Sequence, residues 1–151
     1  VVTNLPYYIT SKIITKIVSS STPINRLVAM VQKEVALKLC SEEKSPLKMM
    51  IDYVGDVQYE LNVPRHVFMP APHVDSAVIS IHKERVISQE LIDLIEASYT
   101  AKRKTLYNNL KSLYHDQTKE LLESCGIPAN KRAEELNIDD YIRILERSHT
   151  L

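Results

Sequence analysis

The hydrophobic pattern changes texture twice along the chain. Val1-Val2-Thr3 reads as the end of a buried strand, because β-branched side chains suit a packed pleated surface. Asn4 and Pro6 then stop it. From Tyr8 to Ser19 the isoleucines Ile9, Ile13, Ile14 and Ile17 fall at helical spacing. Arg26–Gln32 is a near-continuous apolar run of strand length, as in a parallel strand covered on both faces. Lys33–Cys40 returns to helical periodicity through Val35, Ala36 and Leu39. Strand, helix, strand, helix in so short a stretch is the pattern of βαβ units. Residues 47–63 alternate at Met49, Ile51 and Tyr53, and again at Val57, Tyr59 and Leu61. That alternation favours an extended strand over a helical start.

Pro64, Pro70 and Pro72 bracket a rigid turn-rich segment. A further strand is expected over Val74–His82, forming a hairpin with its predecessor at the edge of a mostly parallel sheet. From Ser88 the chain is helical throughout. Ser88 N-caps a helix carrying Leu91, Ile92, Leu94 and Ile95. A second helix is expected over Lys102–Leu113. A third is expected between Asp116, as its cap, and Gly126 at the C′ position. Asn137, with Asp140 three residues on, opens a fourth. The pattern gives an α/β part, 1–86, followed by a small all-helical part, 87–151.

Composition narrows the picture. At 151 residues, 44% apolar and 25% charged, the chain has the make-up of a globular protein with a real core. Lys and Arg together number 19, as do Asp and Glu, so any preference for an anionic partner must be local. Cys40 and Cys125 form no CxxC pair and are expected as buried, reduced thiols. No apolar run is long enough to span a bilayer, and His66 and His73 lack ligand-like spacing, so neither a membrane nor a metal is expected. With Gly55 and Gly126 the only glycines, no Gly-rich turn is available for a nucleotide or adenosyl cofactor. That absence, and a start inside a strand, read as a front half that is missing.

The chemistry concentrates at Asn4-Leu5-Pro6-Tyr7. At the carboxyl end of a strand, where ligands sit in α/β sheets, these residues offer an amide oxygen, a carbonyl beside a residue with no N–H, and an aromatic face. The set suits a planar base and its exocyclic amine, and equally an ordinary strand-to-helix turn. A second concentration is Lys102, Arg103, Lys104 and Lys111. These cations have no acid among them, are interleaved with Tyr99, Tyr107 and Tyr114, and can meet phosphates. Arg65 and Arg132 are further candidates for that role.

In order, Asn4-Leu-Pro-Tyr7, Gln32-Lys-Glu-Val35, Phe68-Met-Pro-Ala-Pro-His-Val-Asp-Ser-Ala77, Ala101-Lys-Arg-Lys-Thr-Leu-Tyr-Asn-Asn-Leu110 and Gly126–Leu136 closely resemble the ribosomal RNA adenine dimethyltransferase family. The resemblance covers essentially the whole chain. It departs from the family at Lys44-Ser45, where a Tyr-Gly pair is usual.

The resemblance implies the C-terminal half of a Rossmann-like methyltransferase sheet followed by a helical RNA-binding domain. It implies S-adenosylmethionine as cofactor, touched here by Asn4, and small-subunit rRNA as partner of a monomeric, cytoplasmic enzyme. Asn4, Leu5, Pro6 and Tyr7 are the implied catalytic residues, with Tyr7 and Phe68 as the two walls around the base. A fragment without the glycine turn is expected to be inactive alone. Two other readings remain open. One is a non-catalytic nucleic-acid-binding module like the related mitochondrial transcription factors. The other is a resistance methyltransferase acting on large-subunit rRNA, which the Arg103-Lys104-Thr105 segment disfavours.

Overall fold

The computed structural model describes residues 2–4, 10–21 and 24–150, with the backbone alone at Val2–Asn4 and Thr10–Ser11. The chain divides into two compact units, one of residues 1–43 and 51–86, the other of residues 44–50 and 87–151, and the fold is mixed α/β.

In the first unit the elements are β1 (Val2–Asn4), α1 (Thr10–Val18), β2 (Arg26–Gln32), α2 (Lys33–Cys40), β3 (Gly55–Val63) and β4 (Ser76–Lys83). The sheet order is β1-β2-β4-β3. β1 pairs with β2 in parallel, Asn4 opposite Met30. β4 lies between β2 and β3 and pairs with both in antiparallel fashion. Parallel pairing therefore does not predominate among the described strands, contrary to the sequence expectation. The reason is the placement of β4. It alone runs against the other three strands, and its interior position makes both its ladders antiparallel. The core is made by Ile14 and Val18 of α1, Leu27, Ala29 and Val31 of β2, Ala36 and Leu39 of α2, and Ala77, Ile79 and Ile81 of β4. Cys40 ends α2 on its outer side and is exposed, whereas Cys125 is buried, so the expectation of two buried thiols holds for one.

Three local devices fix this unit. Lys83, buried at the end of β4, donates to the carbonyls of Ile17 and Ser20 at 3.3 and 2.5 Å. A cation is thereby placed on the orphan carbonyls at the end of α1, and burial holds its pKa below the usual value. At the start of β3, an added Cβ on Gly55 would sit 1.8 Å from the His82 carbonyl oxygen, so only glycine fits. Between β3 and β4, the segment from Pro64 to Asp75 closes on itself. The Asp75 carboxylate accepts the Arg65 backbone N–H at 2.8 Å, and the Arg65 guanidinium donates to the His73 carbonyl at 3.1 Å. β4 begins at Ser76 rather than Val74, whose side chain is exposed.

α3 (Pro46–Val54) replaces the strand expected over residues 47–53. Its start is specified chemically. The Ser45 hydroxyl accepts the Lys48 N–H, and the Ser45 carbonyl accepts the Met49 N–H, while Pro46 takes the first helical position, where its missing N–H costs nothing. The alternation at Met49, Ile51 and Tyr53 was a coincidence of a buried segment, because Met49, Met50, Ile51 and Val54 are all buried.

The second unit is helical: α4 (Gln89–Ser98), α5 (Leu106–Tyr114), α6 (Thr118–Ser124) and α7 (Ile138–Ser148). The Ser88 hydroxyl caps α4 by accepting the Leu91 N–H at 3.3 Å. Asn137 and Asp140 cap α7 reciprocally, at 3.1 and 3.0 Å. Gly126, at φ +71°, ends α6. Asp116 caps nothing, for it sits in a short 3₁₀ turn at His115–Gln117 that precedes α6. α5 starts four residues later than the pattern suggested, because Thr105 intervenes as its N-cap and accepts the Asn108 N–H at 3.3 Å. The core comprises Leu91, Leu94, Ile95, Leu106, Leu110, Leu121, Leu122, Tyr141 and Ile144. Burial pushes the Tyr99 phenol up to about 12 and the Tyr141 phenol further in the same direction.

Gly55→Ala forces β3 and β4 apart where β3 starts and β4 ends and is expected to destabilise by about 3 kcal/mol or more, read as a lowered midpoint in urea unfolding. Asp75→Ala removes the acceptor that closes the 64–75 segment, at a cost of about 1 kcal/mol. In hydrogen exchange the Arg65 amide should then exchange about fivefold faster, while β4 amides keep their protection.

Candidate functional site

The strand directions gather the candidate chemistry at one edge of the sheet. β1, β2 and β3 end there and β4 begins there, with Gln32 and Val63 both registered on Ser76. The Lys33 N–H donates to the Asp75 carbonyl at 3.0 Å, which ties the start of α2 to the end of the 64–75 segment. Asn4 is the last residue of β1, so its backbone leaves the sheet at this same edge. Its side chain, and all of Leu5, Pro6 and Tyr7, lie outside the described residues. Phe68, the proposed opposite wall of the base site, is half-buried in the 64–75 segment, its N–H donated to the Arg65 carbonyl at 3.3 Å.

A cavity of about 730 Å³ opens between α2 and that segment. Leu37 and Val74 give it apolar surface, and both are unusually exposed for their type, at 52% and 43%. Its charged lining is balanced, Lys33, Lys38 and Arg65 against Glu34, Glu43 and Asp75, with the His73 imidazole beside them. Part of that charge is already engaged: Lys38 pairs with Glu34 at 3.5 Å, and Arg65 and Asp75 close the loop. Arg65 is thus first a structural clip. The cavity's described lining excludes Phe68. Sequence reasoning gave Lys33 and Glu34 no role and missed Leu37 and Val74. The available signal was an apolar residue on the polar side of a helical pattern, which periodicity alone discounts.

The cations of the second unit are arranged differently from the expectation of one helical stripe. Lys102, Arg103 and Lys104 are exposed in the turn between α4 and α5, and only Lys111 stands on α5. The turn is closed by the Lys104 N–H donating to the Ala101 carbonyl at 3.1 Å. Lys111 lies over the Tyr107 ring, 4.5 Å from its centroid. Among the described residues none of these four cations has a carboxylate partner within 4.0 Å. Arg132 is exposed and joins the neighbourhood through the preceding residue, whose carbonyl accepts the Leu106 N–H at 2.6 Å. Unpaired cations over two aromatic-bearing turns are what a polyanion requires.

No group of three His, Cys, Asp or Glu among the described residues is placed to hold a metal ion, and none of the described helices is long and apolar enough to cross a membrane. The two glycines lie at the foot of β3 and the end of α6. Neither follows a strand as a Gly-rich turn, so these residues do not supply the turn that cradles an adenosyl cofactor.

Known proteins resemble this chain in sequence and in fold. The chain is 37% identical over 158 residues to the ribosomal RNA small subunit methyltransferase A of Fusobacterium nucleatum, covering 97% of this chain and 60% of that protein. It is 38% identical over 157 residues to the same-named protein of Bacillus cytotoxicus, covering 93% of this chain and 54% of that one. It therefore spans a little over half the length of these relatives. The fold is shared with a dimethyladenosine transferase from Plasmodium falciparum, with a TM-score of 0.83 at 24% identity, covering 99% of this chain and 66% of the other. It is shared less closely with the 23S rRNA methyltransferase ErmE, with a TM-score of 0.65 at 22% identity, covering 97% and 63%. The ribosomal RNA adenine dimethylase family model matches residues 1–149, and the chain belongs to that family.

Proposed function

We propose that this chain carries the acceptor side of a methyl transfer to N6 of adenines in small-subunit rRNA, with S-adenosylmethionine as donor. The supporting observation is the convergence of the Asn4 strand end, the start of α2 and the Phe68-bearing segment on one sheet edge. The small subunit is preferred because relatives at 37% and 38% identity carry that name. The sheet reads as the C-terminal half of a Rossmann-like methyltransferase sheet, residues 1–86, and residues 87–151 as an RNA-binding helical domain. Methyl transfer then requires cofactor-holding residues beyond those present, and the chain by itself is inactive. The intact enzyme acts as a monomer in the cytoplasm.

The chemistry asked of these residues is positioning. The adenine N6 lone pair is delocalised into the ring, so the amine is a poor nucleophile. Two acceptors facing its N–H bonds, the Asn4 side-chain oxygen and the Leu5 carbonyl, favour a tetrahedral nitrogen with its lone pair aimed outward. Pro6 stiffens the turn that presents them and offers no competing donor. Tyr7 and Phe68 stack on the extruded base. S-adenosylmethionine supplies an electrophilic methyl group when bound, and Asn4 borders its site. The cavity beside α2, nearly neutral with Leu37 and Val74 exposed, suits a base or ribose better than a phosphate. Lys102, Arg103, Lys104 and Lys111, with Arg65 and Arg132 in support, take the phosphates.

A non-catalytic nucleic-acid-binding module would use the same cations without the amine site, and duplex DNA competition separates the two: preference for DNA over small-subunit rRNA would favour the module. In the full-length protein, Asn4→Ala is expected to abolish adenine dimethylation without altering the unfolding midpoint, and retained methylation would count decisively against the amine site. Replacing Lys102, Arg103 and Lys104 together by Ala should flatten the slope of log affinity against log salt by about 2, at about 0.7 per lost contact on single-stranded RNA.

A further inference from the structure

The turn that carries three consecutive cations is held from beneath by a side chain that the sequence reading gave no role. Asn109 lies on the inner side of α5 between Leu106 and Leu110 and is 7% exposed. Asparagine is a poor choice for a helix interior, because its amide competes for backbone partners. Here that tendency is used outside the helix. Its side-chain nitrogen donates to the Ser98 carbonyl at 2.8 Å and to the Ala101 carbonyl at 3.1 Å. The first is an orphan carbonyl at the end of α4. The second opens the turn and also receives the Lys104 N–H.

The rest of the network makes this a fixed point. The Ser98 hydroxyl bonds the Ile95 carbonyl at 2.7 Å and the phenol of fully buried Tyr141 at 2.8 Å. On the far side, Thr105 caps α5 and the Leu106 N–H reaches across to the Lys131 carbonyl. The backbone from Ser98 to Leu106 is therefore pinned at both ends and in its middle, while its three charged side chains point to solvent.

We infer that Asn109 is the positioning residue of the cationic turn, presetting Lys102, Arg103 and Lys104 as a receptor for consecutive phosphates. The inference rests on the RNA-binding reading. Adjacent like charges repel, and a loose turn would spread them and lose ordering entropy on binding. A pinned turn has met that cost in the free protein.

The test is fluorescence anisotropy of the 151-residue chain with a labelled small-subunit rRNA stem-loop over a salt series. Four forms are compared: the unaltered chain, Asn109→Ala, Lys102→Ala with Lys104→Ala, and the combination, each checked for helix content by circular dichroism. Asn109→Ala is expected to weaken binding about tenfold and to flatten the salt slope. It should add little once the two lysines are gone, because it acts through them. If Asn109→Ala does not fold, Asn109→Ser, which keeps one shorter donor, is carried through the same comparison. Unaltered affinity, or an equal loss in the background lacking the lysines, would overturn the inference and leave the RNA reading standing. Failure of the unaltered chain to bind the stem-loop would overturn the RNA reading itself.

Discussion

The first unit depends on one constraint, the insertion of the reversed strand β4 between β2 and β3. Because β4 is antiparallel to both neighbours, β2 and β3 run the same way, and β1 follows β2. Three strand ends and one strand start therefore meet at a single edge. The end of β1 at Asn4, the first turn of α2 and the proline-rich segment are forced to share that edge. Ala77, Ile79 and Ile81, buried almost completely, hold β4 there. The close approach at Gly55 and the Asp75–Arg65 closure shape the two connections that the insertion requires. The site is a consequence of strand order more than of any one side chain.

The second unit solves a different problem. The chain has zero net charge, and on the proposed RNA-binding reading it presents phosphates with cations by segregating its charges. Acidic side chains take structural work, as in the Asp140 cap of α7 and the pairing of Glu135 with Lys131 at 3.1 Å. The α4–α5 turn is left with cations alone. Its conformation comes from neutral hydrogen bonds of Asn109, Ser98 and Tyr141, which salt does not screen, while the charges above it remain free for phosphates.

Much of the fold was legible. β2 and α2 emerged at their observed limits because apolar runs and helical spacing are strong signals when no polar side chain competes with the backbone. Ser88, Asn137 and Gly126 gave correct helix ends because capping is local chemistry. The misreadings also have local causes. At Met49–Tyr53 a buried helix mimicked alternation, and the Ser45-Pro46 start was the signal that decided it. At Lys102–Thr105 the helix was extended through good helix formers, although Thr105 marked its beginning. Strand order, a tertiary property, left no periodic trace. The Asn4–Tyr7 stretch was legible only as a motif, and apart from the Asn4 backbone it lies outside the described residues. Asn109 was hidden because an asparagine between buried leucines looks like a pattern defect until its two acceptors are seen.

On the proposed reading, this chain receives an rRNA adenine at the edge where β1 ends. Photocrosslinking tests it most directly, with a small-subunit rRNA stem-loop carrying 8-azidoadenosine at its loop adenines, followed by peptide mapping. Attachment within residues 4–7 or at Phe68 is expected. Attachment confined to α6 and α7, or crosslinks that duplex DNA competes away as well as rRNA does, would contradict it.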